Sequence, residues 1–173
     1  MNFLDLLESK QIDQSLIKDF KDWVTYLKDI KGFSQNTYNS YSYDLVDFLV
    51  FLNQHYATNI TNKDIVDLDL KILRSWLSDL TLERNYINVY KKPLSARSRR
   101  RVISSLKNFL KYMKTKSDSY DRPFGQIILL KSPKIPKSLP KSIHEDQVDI
   151  LLTELEGVTK KNWIKKRNKA IFF

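Results

Sequence analysis

The stretch Ser95-Ala-Arg-Ser-Arg-Arg-Arg-Val-Ile-Ser-Ser-Leu-Lys-Asn-Phe-Leu-Lys-Tyr112 constrains this chain more than any other. Val102, Leu106, Phe109 and Met113 recur at three- and four-residue spacing, and Ile103 and Leu110 widen the stripe. That repeat belongs to an amphipathic helix packed on a core. Arg97, Arg101, Ser104, Asn108 and Lys111 fall on the far side, flanked by Arg100 and Lys107. A helix pinned by its apolar stripe and presenting guanidinium, ammonium and hydroxyl groups outward suits a phosphate backbone or a major groove. From this helix alone a merely solvated basic face reads as well, and the rest of the chain decides between the two.

The 173 residues are 42% hydrophobic, enough for one domain with a real core or one small domain and part of another. Thirty Lys and Arg against twenty Asp and Glu leave a formal charge of +10. The basic residues sit among aromatics and helical patterns, not in a tail, which points to an anionic partner, nucleic acid first. The chain has no cysteine, so disulfides and thiolate metal sites are excluded. Three glycines argue against a Gly-rich phosphate loop or a dinucleotide fold. No apolar run reaches the length of a membrane span. The Met1-Asn-Phe-Leu-Asp-Leu-Leu-Glu8 start lacks the features of a signal peptide. The expectation is a cytoplasmic protein with no membrane partner and no cofactor.

Three more helices precede the basic one. The first runs from about Asp13 to Lys31 on Leu16, Phe20, Trp23, Val24 and Leu27, and Gly32 can stop it. Ser34 can cap the second, with Phe33 and Tyr38 placed as a hydrophobic staple. Its stripe is Tyr38, Tyr41, Leu45, Phe48, Leu49, Leu52 and Tyr56, and its outer face carries Asn36, Asn39, Ser40 and Tyr43. After a connection from Thr58 to Leu68, Asp69 caps a third helix on Leu70, Leu73, Leu77 and Leu80, with Trp76 beside them. Arg84 to Leu94 shows no clear period, contains Pro93 and reads as a loop. Ser95 caps the basic fourth helix. Four helices with short connections predict a compact all-α bundle.

Composition then shifts. Four of the five prolines lie between Pro123 and Pro140, which predicts an extended linker. Ser142-Ile-His-Glu145 has capping-box spacing, and Val148, Leu151, Leu152 and Leu155 line the helix it opens, which Gly157 can end. Lys165 to Phe173 reads as the opening of another helix, interrupted as its apolar face begins. The expected organisation is a helical domain over 1–116, a linker over 117–142 and the truncated start of a second, loosely held domain over 143–173.

Four passages together resemble the N-terminal part of a tyrosine site-specific recombinase of the Xer and phage-integrase type. They are Gly32-Phe-Ser-Gln-Asn-Thr-Tyr-Asn-Ser-Tyr-Ser-Tyr-Asp-Leu45; Leu94-Ser-Ala-Arg-Ser98 with Ile103-Ser-Ser-Leu-Lys-Asn-Phe109; Ser132-Pro-Lys-Ile-Pro-Lys-Ser-Leu-Pro140; and Arg167-Asn-Lys-Ala-Ile171. Their order covers nearly the whole chain. The resemblance implies a SAM-like, four-helix core-binding domain whose second and fourth helices approach the major groove of a double-stranded recombination half-site. Carried over by motif, the implied DNA contacts are Asn36, Thr37 and Tyr41 on the second helix, and Arg97, Ser98, Arg100, Ser104 and Lys107 on the fourth. Tyr41 also falls on an apolar stripe, Thr37 is also placed to serve the cap, and Arg99 projects toward the apolar side. The chain departs from the family pattern at Ser42 and Tyr43, where members often carry two arginines, and at Asn168, where the family has Asp.

The family's strand-cleaving cluster of arginines, lysine, histidines and a nucleophilic tyrosine lies beyond the matched passages, so the expectation is a chain that binds DNA without cleaving it alone. His55 and His144 read as helix-end residues, and no histidine or carboxylate pair has metal spacing. An intact recombinase, or a separate chain supplying the catalytic half, would be a further partner. A protein-interaction remnant that no longer binds DNA is the competing reading, with Ser42 and Tyr43 as its best support.

Overall fold

Asp13 opens α1 (Gln14–Thr25) by accepting the Ser15 N–H on its carboxylate at 2.8 Å, which satisfies one donor that a helix start leaves free. The structure, a computed structural model, describes residues 12–86, 89–135, 147, 150 and 162–171. The chain divides into two units, Met1–Ile135 and Pro136–Phe173. α1 runs on through a π-helical turn, Tyr26–Ile30, and the chain then reverses at Gly32, whose φ of +62° is open to glycine at little cost. Leu16, Phe20, Trp23 and Leu27 are fully buried, as their spacing predicts.

Ser34 caps α2 (Gln35–Tyr56), its hydroxyl accepting the Thr37 N–H. The ring contact of Phe33 is with Tyr41, edge-on at 5.9 Å, one turn beyond the expected Tyr38. Leu45, Phe48, Leu49 and Leu52 fill the core, and Ala57 ends the helix in the left-handed region. The connection that follows is more ordered than its sequence suggests. Thr61 and Asp64 form a reciprocal capping box at the start of α3 (Asn62–Val66), and Ile60 forms an isolated parallel bridge with Ile12. Asp69 caps α4 (Leu70–Asp79), accepting the Ile72 N–H at 2.8 Å. Leu73, Trp76 and Leu80 are buried.

The segment from Arg84, expected to be a loop, is instead a small antiparallel hairpin of β1 (Arg84–Tyr86) and β2 (Val89–Lys91). Arg84 faces Lys91 across the ladder, and both side chains pair with Asp47 on α2. Three-residue strands are too short to show a period of two, so the charges, not the apolar pattern, carry this element.

Ser95 caps α5 (Ala96–Lys116), which buries Val102, Ile103, Leu106, Phe109, Leu110 and Met113. The core continues past residue 116, where the first domain was expected to end. A 3-10 turn, Asp118–Tyr120, leads into α6 (Asp121–Leu129), and Tyr120, Ile127 and Leu130 are buried in the same core, with Pro123 also buried. Pro123 sits in the first turn of α6, where a missing N–H removes no helical hydrogen bond. Pro123 therefore belongs to α6, apart from the later prolines of the expected linker. The first unit is therefore an all-α bundle with one hairpin attached. In the second unit α7 (Asn162–Ile171) contains the expected helix opening, with the Arg167 guanidinium 5.5 Å from the Trp163 ring centre. The capping box at Ser142–Glu145 and the stripe from Val148 to Leu155 lie outside the described residues. Among the described residues no helix is long and apolar enough to cross a membrane.

Candidate nucleic-acid interface

α5 is held by six apolar side chains no more than 1% exposed, so its outer face is fixed in direction. That face carries Arg97, Arg100, Ser104 and Lys111 exposed and Lys107 half-buried. None of its four cations belongs to an ion pair among the described residues. The cations of the hairpin and of the end of α5 are paired instead. Arg84 reaches Asp47 at 2.8 Å and Asp79 at 3.5 Å, Lys114 reaches Asp121 at 2.8 Å, and Lys116 reaches Asp19 and Asp22 at 2.8 and 3.1 Å. Burial works against the Lys116 charge, but the hydrogen bonds to Asp19 and Asp22 outweigh it and raise its pKa.

The placement of charge on α5 runs against its own stability. Arg97, Arg99, Arg100 and Arg101 occupy the first two turns, and no acidic residue stands in the first turn. The N-terminus of a helix is its positive end, and a cation in the first turn, as Arg97 and Arg99 are, is unfavourable by roughly 0.3–1 kcal/mol at a surface. An anion lying along this face relieves both the helix end and the crowded guanidiniums.

Two residues expected on the open face are tied down. Arg101 donates from Nε and Nη2 to the two carboxylate oxygens of Asp44, at 2.9 and 2.8 Å. Asn108 accepts the Trp23 indole N–H at 2.9 Å. Burial raises the Asp44 pKa, with the Arg101 hydrogen bonds and charge opposing it, and the Asp44 hydrogen bonds raise that of Arg101. Neither pairing was foreseen. A signal in the sequence is the carboxylate of Asp44 beside the run from Leu45 to Leu52, apolar but for Asp47, where it needs a cation.

The expected contact residues divide into two groups. Arg97, Arg100, Ser104 and Lys107 share the open face of α5, with the Ser104 hydroxyl donating to the Arg100 carbonyl at 3.1 Å. Lys111 extends this stripe by one more turn. Asn36 is exposed in the first turn of α2. The others have structural duties. Thr37 and Ser98 occupy matching places behind their caps, their hydroxyls 2.9 and 3.0 Å from Ser34 and Ser95. Tyr41 packs on Phe33, and its pKa is raised by burial and by the charge of Asp44. Ser42 is fully buried, with its hydroxyl donated to the Tyr38 carbonyl at 2.8 Å, so that position is part of the core. Tyr43 is 58% exposed. Arg99 is half-buried, and its Nε is buried without a hydrogen-bond partner. His55 stacks on Phe51 at 5.5 Å near the end of α2, in the helix-end role expected of it.

The family model described as "Phage integrase, N-terminal SAM-like domain" matches residues 20–117. Among curated relatives, the tyrosine recombinase XerC of Rickettsia typhi is 34% identical over 160 residues, covering 92% of this chain and 48% of that protein. The XerC of Rickettsia bellii strain OSU 85-389 is 32% identical over 161 residues, covering 93% and 48%. The chain spans about half the length of the curated relatives it matches. No solved structure matches it.

Proposed function

The chain belongs to the phage-integrase N-terminal SAM-like family, and from that premise we propose that it is the DNA-binding portion of a Xer-like tyrosine recombinase. It grips a duplex half-site through the outer face of α5. Arg97, Arg100 and Lys107 meet phosphates, Ser104 donates or accepts at a sugar, phosphate or base edge, and Asn36 adds a contact from α2. Thr37, Ser98 and Tyr41 act indirectly, by fixing the starts of the two helices. The observation that carries this reading is the division of cations. Those of the hairpin and of the end of α5 are neutralised within the bundle, as is Arg101 by Asp44, while Arg97, Arg100, Lys107 and Lys111 are in no ion pair among the described residues. Strand cleavage is assigned to the part of the relatives' length that these residues do not span.

The test is binding to a recombination-site duplex and to a scrambled duplex across a salt series. Phosphate binding releases condensed counterions, so the logarithm of affinity should fall steeply with the logarithm of salt. Tighter binding to the site with a steep slope supports the proposal. Salt-independent binding, or none, favours the protein-interaction reading.

A further inference from the structure

The side-by-side pairing of Arg101 with Asp44 leaves one edge of the guanidinium unused. Nε and Nη2 are both committed to the carboxylate, at 2.9 and 2.8 Å. A guanidinium carries five N–H groups in a planar fork. With the side edge occupied, the end edge still offers one N–H from each terminal nitrogen. The Arg101 side chain is 47% exposed, while Asp44 is only 6% exposed. The carboxylate therefore sits inside the bundle and the guanidinium at its surface.

Arg101 also occupies the middle of the proposed contact face. Arg97, Arg101, Ser104, Asn108 and Lys111 follow a four-three-four-three spacing along one side of α5. Ordinary surface arginines pay rotamer entropy when they bind, because a long side chain must be ordered. Arg101 is already ordered by two hydrogen bonds to a buried group. We infer that Arg101 is a base-reading residue, buttressed by Asp44, whose free guanidinium edge takes the O6 and N7 acceptors of one guanine in the major groove.

This inference rests on the DNA-binding reading above and adds a source of specificity to it. A phosphate contact needs only charge, which the unpaired cations supply without a fixed direction. A planar fork held by a carboxylate instead matches the paired acceptors of guanine, a contact that discriminates against the wrong base by roughly ten- to a hundred-fold. Asp44 does not touch DNA in this scheme. It is a positioning residue, and its negative charge opposes binding to any polyanion.

That sign gives the test. Duplexes carrying a randomised stretch are selected by the wild type, by Arg101→Lys and by Asp44→Asn, with folding of each variant checked by circular dichroism. The wild type should enrich one invariant guanine. Arg101→Lys keeps the charge but loses the planar fork that Asp44 holds, so the preference for guanine at that position should weaken while the rest of the selected sequence persists. Asp44→Asn should bind scrambled duplex as tightly as the wild type or more tightly, yet discriminate less at the same guanine. Replacing that guanine by 7-deazaguanine should weaken the wild type roughly tenfold and weaken Arg101→Lys less. A selected sequence unchanged in both variants would overturn the inference and leave DNA binding standing. So would equal losses on all sequences, which mark a phosphate contact. A wild type that enriches nothing and binds without salt dependence would instead overturn the DNA-binding reading beneath it.

Discussion

Trp23 and Asn108, 85 residues apart, are joined by an indole N–H donated to an amide oxygen at 2.9 Å. The indole is fully buried and packs edge-on against Phe109 at 5.4 Å. This bond ties α5 to α1 beside the buried apolar stripe that sets the direction of the cationic face. Asn108→Ala leaves a buried donor unpaired, a loss of about 1–3 kcal/mol. Urea unfolding should show a lower midpoint with an unchanged slope. A midpoint equal to that of the wild type would mean the indole finds another acceptor.

The apolar spacing of α1, α2, α4 and α5 was legible because each buries a stripe three or four turns long. Their caps at Ser34, Asp69 and Ser95 were legible because a short oxygen-bearing side chain stood before each stripe. What escaped was set by charge or by position within a turn. The hairpin hangs on Asp47, which meets Arg84 and Lys91 from another element. α6 was hidden by Pro123, which reads as a breaker until its place in the first turn is known. On the candidate face, a helical wheel put Arg101 and Asn108 outside correctly by angle. It had no means of showing that long or forked polar side chains reach sideways to Asp44 and Trp23.

Ending the chain at residue 116 should damage the bundle, while ending it at residue 135 should not. Tyr120, Ile127 and Leu130 complete the core. Burying a large apolar side chain is worth about 1.5–3 kcal/mol, so losing several approaches the whole stability of a domain, about 5–15 kcal/mol. Thermal unfolding of the two fragments checks this. The shorter one should lack a cooperative transition or melt far lower.

Asp44 gives the bundle an unusual pH response. Burial, its largest influence, raises the carboxyl above its ordinary value of 3.8. The folded chain then binds more protons than the unfolded chain across that window. The stability contributed is full below 3.8 and is lost as pH rises through the raised folded value. Asp44→Asn abolishes this term. The stability of the wild type relative to Asp44→Asn should therefore fall with rising pH and level off once the carboxylate is ionised. Paired denaturation curves at acid and neutral pH measure it; a difference that grows with pH would mean Arg101 outweighs burial.

If the outer stripe of α5 binds phosphate, its cations and the paired ones must behave differently. Arg100→Ala and Lys107→Ala should each weaken binding on every duplex and flatten the salt slope by about one unit. Lys114→Ala and Lys116→Ala remove cations already held by Asp121, Asp19 and Asp22, and the slope should hardly change. Equal effects from all four would show that net charge, not this face, governs binding.

Ala57 offers a gain in stability away from any contact face. It closes α2 with φ 52° and ψ 33°, a conformation that costs a residue with a Cβ about 1–2 kcal/mol. The turn is held regardless of this residue's side chain, because the Asn53 amide donates to the Thr58 carbonyl at 2.9 Å. Ala57→Gly removes the clash, offset by the greater freedom of glycine in the unfolded chain, about 0.4–1 kcal/mol. The net expectation is a stabilisation of up to about 1 kcal/mol. Ala57→Val should act oppositely, since a β-branched side chain tolerates this region least. Urea midpoints ordered Gly above Ala above Val would confirm that the left-handed cap is strained, and a glycine variant below the wild type would show that unfolded-chain entropy dominates at this turn.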